Sequence, residues 1–229
     1  MLIDANNVVD TVKLKFYNEY LYTNHVYAEG DSPYHQQLTK EVVSKYVDSL
    51  NLPKDSNIVD CGCGPGYFLD EMQQRGYTNT VGITLSSEDI MLCQSKGHTV
   101  KPLDISFLHQ TQGFYDESVD FIFLRHALEH SPYPIFTLME YNRVLKQGRK
   151  MYIEVPAPGC ERMHEYNINH YSILTKDMLV ALLIRTGFNV TSFDNIRFNL
   201  NMSMNGETKL VEEHFYSIMV TKARPIDVK

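Results

Sequence analysis

The stretch Asp60-Cys61-Gly62-Cys63-Gly64-Pro65-Gly66 limits the folds open to this chain more than any other. It follows the apolar pair Ile58-Val59 and precedes a helical run that starts at Tyr67. A strand that feeds a glycine turn and then a helix brings main-chain atoms close to a ligand, where a side chain would collide. The unpaired N–H groups of the first helical turn then face a polar or anionic part of that ligand. The spacing is G-x-G-x-G, with Tyr67 standing where a dinucleotide fingerprint has its third glycine. That departure points away from a nicotinamide or flavin and toward a different nucleoside ligand, and it disfavours a dehydrogenase.

The rest of the chain is long enough, at 229 residues, to bury a core without disulfides or metal staples. A net charge of −7 works against wholesale binding to phosphate backbones, so nucleic acid is not the expected partner. No run of eighteen apolar residues is present, and no membrane span is expected. Met1 to Asp10 carries two acids and no basic region, which is not a secretory signal. Cys61, Cys63, Cys93 and Cys160 read as free thiols of a reducing, cytoplasmic compartment. Cys61-x-Cys63 lacks a second close pair to complete a metal site, so small apolar filling of a crowded turn is the better account.

Strand and helix patterns alternate along the chain, as in an α/β fold. Residues 36–50 read as a helix, and strands are expected at 57–60, 79–84, 98–102, 119–124 and 150–155. Helices are expected from Tyr67 with Phe68, Leu69 and Met72 inward, and over 87–95. A further helix is expected over 133–146, with Ile135, Leu138, Met139 and Leu145 inward and Gly148 as its stop. Another follows Thr175, burying Met178, Leu179, Leu182 and Leu183 and stopping at Gly187. Two last strands, around 188–199 and 209–221, flank Asn205-Gly206, a hairpin signal. The expected organisation is one domain over 1–229, a helical cap at 1–52 on a core at 53–229.

Several segments together resemble one family. Val59 to Gly66 looks like the first motif of the class I S-adenosylmethionine-dependent methyltransferases. Val81-Gly82-Ile83-Thr84-Leu85-Ser86, Leu103-Asp104-Ile105, the strand 118–123, Leu128-Glu129-His130, and Val144 to Gly148 before Met151 to Pro156 follow in that family's order. The resemblance covers about residues 55–188. It implies a Rossmann-like, seven-stranded, mostly parallel sheet with an antiparallel last strand, helices on both faces, and S-adenosyl-L-methionine as cofactor.

It also implies positions for that cofactor. Its methionine part lies over Gly62, Cys63 and Gly64, with Asp60 accepting from loop N–H groups or the cofactor amine. Thr84 and Leu85 stand where the ribose is held, although the family usually has Asp or Glu in the place of Thr84. Asp104 takes the adenine amino group, Ile105 packs on the ring, and the Arg125 main chain touches the amino-acid end.

Candidate bases for the acceptor cluster after the fourth strand, at His126, Glu129 and His130, with His170 facing the acceptor from a later loop. The spacing His126-x-x-Glu129-His130 is similar to the Glu-x-x-Glu-His metal site of ubiquinone-pathway and small-RNA methyltransferases, with His164 or His170 as a further imidazole. The same Leu-Glu-His run is widespread in metal-free members, and no metal is expected. Phe16, Tyr17, Tyr20, Tyr22, Tyr27 and Tyr34 read as core or as a lid. The implied activity is methyl transfer to an oxygen, nitrogen or carbon of a small molecule. The alternative is a cofactor-binding module without catalysis, for which Thr84 is the only support.

Overall fold

The computed structural model describes residues 28, 30–108, 113–204 and 207–225. Phe16, Tyr17, Tyr20, Tyr22, Tyr27 and the Asn205-Gly206 turn lie outside the described residues. The elements run α1 (Pro33–Val42), β1 (Ile58–Cys61), α2 (Tyr67–Gln74), β2 (Thr80–Thr84), α3 (Ser87–Ser95), β3 (Val100–Pro102) and β4 (Val119–Arg125). Then come α4 (Pro134–Val144), β5 (Leu145–Pro156), α5 (Lys176–Arg185), β6 (Phe188–Met204) and β7 (Glu207–Lys222). All seven strands join one sheet in the order β3-β2-β1-β4-β5-β7-β6. The pairs from β3 to β5 are parallel, and β7 enters antiparallel to both β5 and β6.

Alternation along the strands divides the core in two. Phe121 and Phe123 of β4 pack with Phe68, Leu69 and Met72 of α2 and with Val43 and Val47 beyond α1. Ile122 and Leu124 point the other way, onto Leu138 and Tyr141 of α4 and Leu179 and Leu183 of α5. Successive side chains of a strand face opposite sides, so a run of buried residues such as β4 requires a layer on each side. Past Val42, α1 widens into a π turn, Val43–Val47, and tightens into a 3-10 turn, Asp48–Leu50. The expected helix at 36–50 is therefore present, beginning earlier and changing pitch.

Side-chain caps mark the starts of α3 and α5. Ser86 Oγ accepts from Asp89 N at 3.2 Å, and Thr175 Oγ1 accepts from Met178 N at 3.4 Å. Gly187 ends α5 with a φ of 84°, and a Cβ there would stand 2.6 Å from both Arg224 O and Asn142 Nδ2.

Three expectations are corrected. The helix at 133–146 ends at Val144, because Leu145 leaves to pair with Val119. Gly148 is thus a bend inside β5, where the register slips between Val119 and Phe121, and not a helix stop. Ile135 and Met178, expected inward, are exposed; each sits in the first turn of its helix, ahead of the stripe that meets the sheet.

Candidate active site

The carboxyl edge of the parallel strands carries the expected cofactor residues side by side. Across β3, β2, β1 and β4 the strand ends present Asp104 and Ile105, Thr84 and Leu85, Asp60, and Arg125 in that spatial order. The sheet order reverses at β1, between β2 and β4, which is where open α/β sheets hold ligands. Asp60 is buried; Thr84 Oγ1 accepts from Ser86 N at 3.2 Å, and Asp104 Oδ1 from Ser106 N at 2.8 Å.

The loop between β1 and α2 owes its shape to its glycines. Gly62, Gly64 and Gly66 have φ of 82°, 47° and 86°, a left-handed region that a side chain disfavours. Space adds to this at two of them. A Cβ on Gly62 would lie 2.5 Å from Ala127 Cβ, and one on Gly66 2.8 Å from Cys93 Sγ. Gly62 and Cys63 both donate their N–H to Ile83 O at 2.9 Å, tying the loop to β2. Gly66, as N-cap of α2, makes no side-chain cap hydrogen bond, and the N-terminus of a helix is a favourable seat for a polar ligand group. The buried Asp60, the left-handed loop and the uncapped helix start fit the methionine end of S-adenosylmethionine.

Beside the loop opens a cleft of about 210 Å³. Asp60, Gly62, Cys63 and Tyr67 line one end, Arg125 and His126 its floor, and Phe198, Leu200 and Phe215 of the β6–β7 hairpin its far wall. Tyr34 and His35 of α1 and Arg162 and Glu213 complete the rim.

A charge row lies beneath this floor. Arg125, Glu154 and Ser217 are register neighbours on β4, β5 and β7. Arg125 Nε approaches Glu154 Oε1 to 2.6 Å, as an ion contact off the line of a hydrogen bond. His126 Nε2 lies 3.0 Å from the same oxygen, and Tyr152 OH and Ser217 Oγ lie 2.6 and 3.1 Å from Oε2. Burial alone would push the Glu154 pKa up, yet Arg125 and His126 hold it at about 2.

His126 itself has a left-handed backbone, φ 48°, that swings its ring back between Glu154 and Glu129, Nδ1 standing 3.6 Å from Glu129 Oε1. Burial opposes its charge, but the two carboxylates raise its pKa to about 9. The ring is therefore an imidazolium at neutral pH, with 31% of its side chain exposed. Glu154 thus has a histidine partner in His126.

The four residues singled out as catalytic candidates are linked through Glu129, which meets His126 on one side and His130 and His170 on the other. His126 alone lines the cleft. Leu128–His130 is a single 3-10 turn, and the His130 ring turns away from the cleft to stand 4.9 Å, centroid to centroid, from His170. Glu129, between them, is fully buried.

Sequence reasoning missed the hairpin wall of Phe198, Leu200 and Phe215, the side-chain role of Arg125, and Tyr67. The only available signal was the alternation of large apolar residues in β6. The Tyr67 hydroxyl accepts from Ser32 N and lies 3.2 Å from Gly30 O and 3.1 Å from Asp31 Oδ1. It pins the chain before α1 against the glycine loop. Tyr67→Phe is expected to raise amide hydrogen exchange at Asp31 and Ser32 about tenfold while costing only about 1 kcal/mol of global stability. Unchanged exchange in hydrogen–deuterium mass spectrometry would remove this strap.

Residues 34–193, more than half of the chain, match the family described as Methyltransferase domain. The chain belongs to this family. It is a class I S-adenosylmethionine-dependent methyltransferase, and S-adenosylmethionine is its cofactor. When bound, that cofactor supplies an electrophilic methyl group on a sulfonium.

The methyltransferase is 28% identical over 182 residues to the O-methyltransferase rstn1 of Aspergillus nomiae, covering 74% of this chain and 79% of that protein. It is 27% identical over 131 residues to the tRNA U34 carboxymethyltransferase of Aliarcobacter butzleri, covering 55% of this chain and 41% of that one. Among solved structures, a methyltransferase from Archaeoglobus fulgidus shares the fold at a TM-score of 0.64 and 18% identity, over 82% of this chain and 94% of the other. No helix among the described residues is long and apolar enough to cross a membrane.

Proposed function

We propose that this methyltransferase alkylates an oxygen of a small, largely apolar acceptor held in the cleft between the glycine loop and the β6–β7 hairpin. The supporting observation is the cleft's continuity: Asp60, Gly62 and Cys63 line one end, and Phe198, Leu200 and Phe215 the other. An acceptor stacked on that apolar wall is held beside the loop that receives the cofactor, which is the alignment an in-line displacement needs. Asp60, Gly62, Cys63 and Gly64 take the methionine end, Thr84 and Leu85 the ribose, and Asp104 and Ile105 the adenine. Arg125 and His126 bound the amino-acid end, and His126 is the acceptor-side polar group, backed by Glu129, His130 and His170. The Aspergillus nomiae relative supports oxygen as the acceptor atom.

The tRNA-modifying relative favours a second reading, an RNA acceptor. A net charge of −7 opposes it, since RNA recognition draws most of its affinity from neutralised phosphates. Titration calorimetry with S-adenosylmethionine comes first, and no binding at millimolar cofactor would argue against the whole reading. Incubation with methyl-labelled cofactor and a panel of phenols, carboxylic acids, amines and unmodified tRNA then separates the acceptors. Label is expected on oxygen of a small acceptor; label confined to amines or tRNA refutes the proposal. Cofactor binding without any turnover would favour the non-catalytic module.

A further inference from the structure

The far end of the cleft sets a cation with a poorly matched charge beside an apolar wall. Phe198, Leu200 and Phe215 build the wall, and Arg162 stands on the rim with Glu213. We propose that Arg162 forms a carboxylate subsite, so that the acceptor is an apolar acid methylated at an oxygen remote from its carboxylate. The subsite rests on the cleft being the seat of the acceptor, as proposed above.

The acids of this corner are committed to other groups. Glu213 Oε1 takes His164 Nε2 at 2.6 Å and the His214 N–H at 3.0 Å. Its Oε2 stands 3.6 Å from Arg162 Nε, beyond hydrogen-bond reach. Glu212 Oε1 accepts from Arg197 Nη1 at 2.7 Å, and Glu161 Oε2 accepts from Glu212 N at 2.8 Å. Arg162 Nη1 donates to the Met202 thioether, a weak acceptor. Among the described residues, no oxygen closes on the Arg162 fork. A guanidinium offers planar N–H pairs that match both oxygens of a carboxylate, which makes arginine the cation best suited to that group.

The loop that carries Arg162 is held on both sides. Cys160 is buried, Met163 N donates to Cys160 O at 3.0 Å, and Tyr171 N donates to Glu129 O at 2.7 Å. The Arg162 side chain is itself 38% exposed, within reach of a molecule entering the cleft.

Position along β7 sets how far the subsite lies from the chemistry. The Phe215 ring meets the His126 ring edge-on, 5.7 Å between centroids, while Glu213, two residues back on the same strand face, stands beside Arg162. Two strand residues span about 7 Å. An acceptor lying on Phe215 with its carboxylate at Arg162 therefore turns its other end toward His126 and the glycine loop. Carboxylate and reacting oxygen are then opposite ends of one apolar body, as in a hydroxyaryl acid, whose ring also suits the aromatic wall.

The test loads the full chain with S-adenosylhomocysteine, the demethylated cofactor, and titrates it in a calorimeter. The probes are para-hydroxycinnamate and its methyl ester, an uncharged molecule with the same ring. The acid is expected to bind at least about tenfold more tightly than the ester, as charge-assisted hydrogen bonds to one carboxylate imply. Arg162→Gln should erase that preference by weakening the acid, and Arg162→Lys should restore part of it; a purely structural arginine would weaken both probes together. With methyl-labelled S-adenosylmethionine, label on the acid is expected as an alkali-stable ether. No binding of the acid at millimolar concentration, equal binding of acid and ester, or a preference that survives Arg162→Gln overturns the subsite. So does an alkali-labile methyl ester, which would put the carboxylate at the glycine loop. Methylation of uncharged phenols as readily as of the acid removes the subsite alone and leaves the function proposed for the cleft standing. Label confined to amines or tRNA removes that function and the subsite with it.

Discussion

Glu154→Ala is expected to lower stability by about 3–5 kcal/mol and the thermal midpoint by roughly 10 °C. The carboxylate is wholly buried at the centre of a row built by three adjacent strands. Deleting it leaves Arg125 and His126 as facing cations and strips Tyr152 OH and Ser217 Oγ of a shared acceptor. An uncompensated buried charge costs more than an intact pair contributes, so single removal is the severe case. Leucine at both Arg125 and Glu154 should recover much of the loss.

Acid supplies an independent check. The folded pKa of Glu154 is about 2 against an ordinary 4.5, so its stabilising contribution is complete above 4.5 and disappears as pH falls toward 2. The gap in melting temperature between wild type and Glu154→Gln should be widest near neutrality and close over that window. Calorimetric scans that find the alanine variant within 1 kcal/mol of wild type would contradict the buried row.

What could be read in the chain beforehand was local. The glycine loop, the buried run of β4, the Thr175 cap and the Gly187 stop each depend on residues a few positions apart, and all four are present. Gly148 misled because a glycine after an apolar helical stripe looks like a cap, whereas pairing of Leu145 with Val119 had already begun the strand. The neighbourhood of Asp60, Thr84, Asp104 and Arg125 follows from the same local signals, since each lies at or beside the carboxyl end of its own strand in one sheet.

The floor of the cleft was not legible. Arg125, Glu154 and Ser217 meet only through the register of β4, β5 and β7, and His130 meets His170 only because a distant loop folds back on a 3-10 turn. Spacing along one chain carries no record of such pairings. Nor does it tell a neutral histidine from His126, whose charge depends on two carboxylates brought from other positions.

Substitutions in the glycine loop are expected to part folding from cofactor uptake. Gly62→Val forces a side chain into a left-handed residue and against Ala127, at the head of the turn that holds Glu129. Backbone strain and overpacking together should cost about 3 kcal/mol, and S-adenosylmethionine affinity should fall at least about 100-fold, equivalent to roughly 2.7 kcal/mol. Such a variant confounds two causes. Gly64→Ala separates them: its φ of 47° makes alanine unfavourable by about 1 kcal/mol, which leaves the domain folded. On the proposed placement its methyl group would stand where the methionine end of the cofactor lies, so binding should still drop at least about tenfold. Calorimetry and thermal melts on the same samples read both quantities. A folded Gly64→Ala protein that takes up S-adenosylmethionine undiminished would mean that the cofactor does not rest on this loop, and the placement of Asp60, Thr84 and Asp104 around it would go with it.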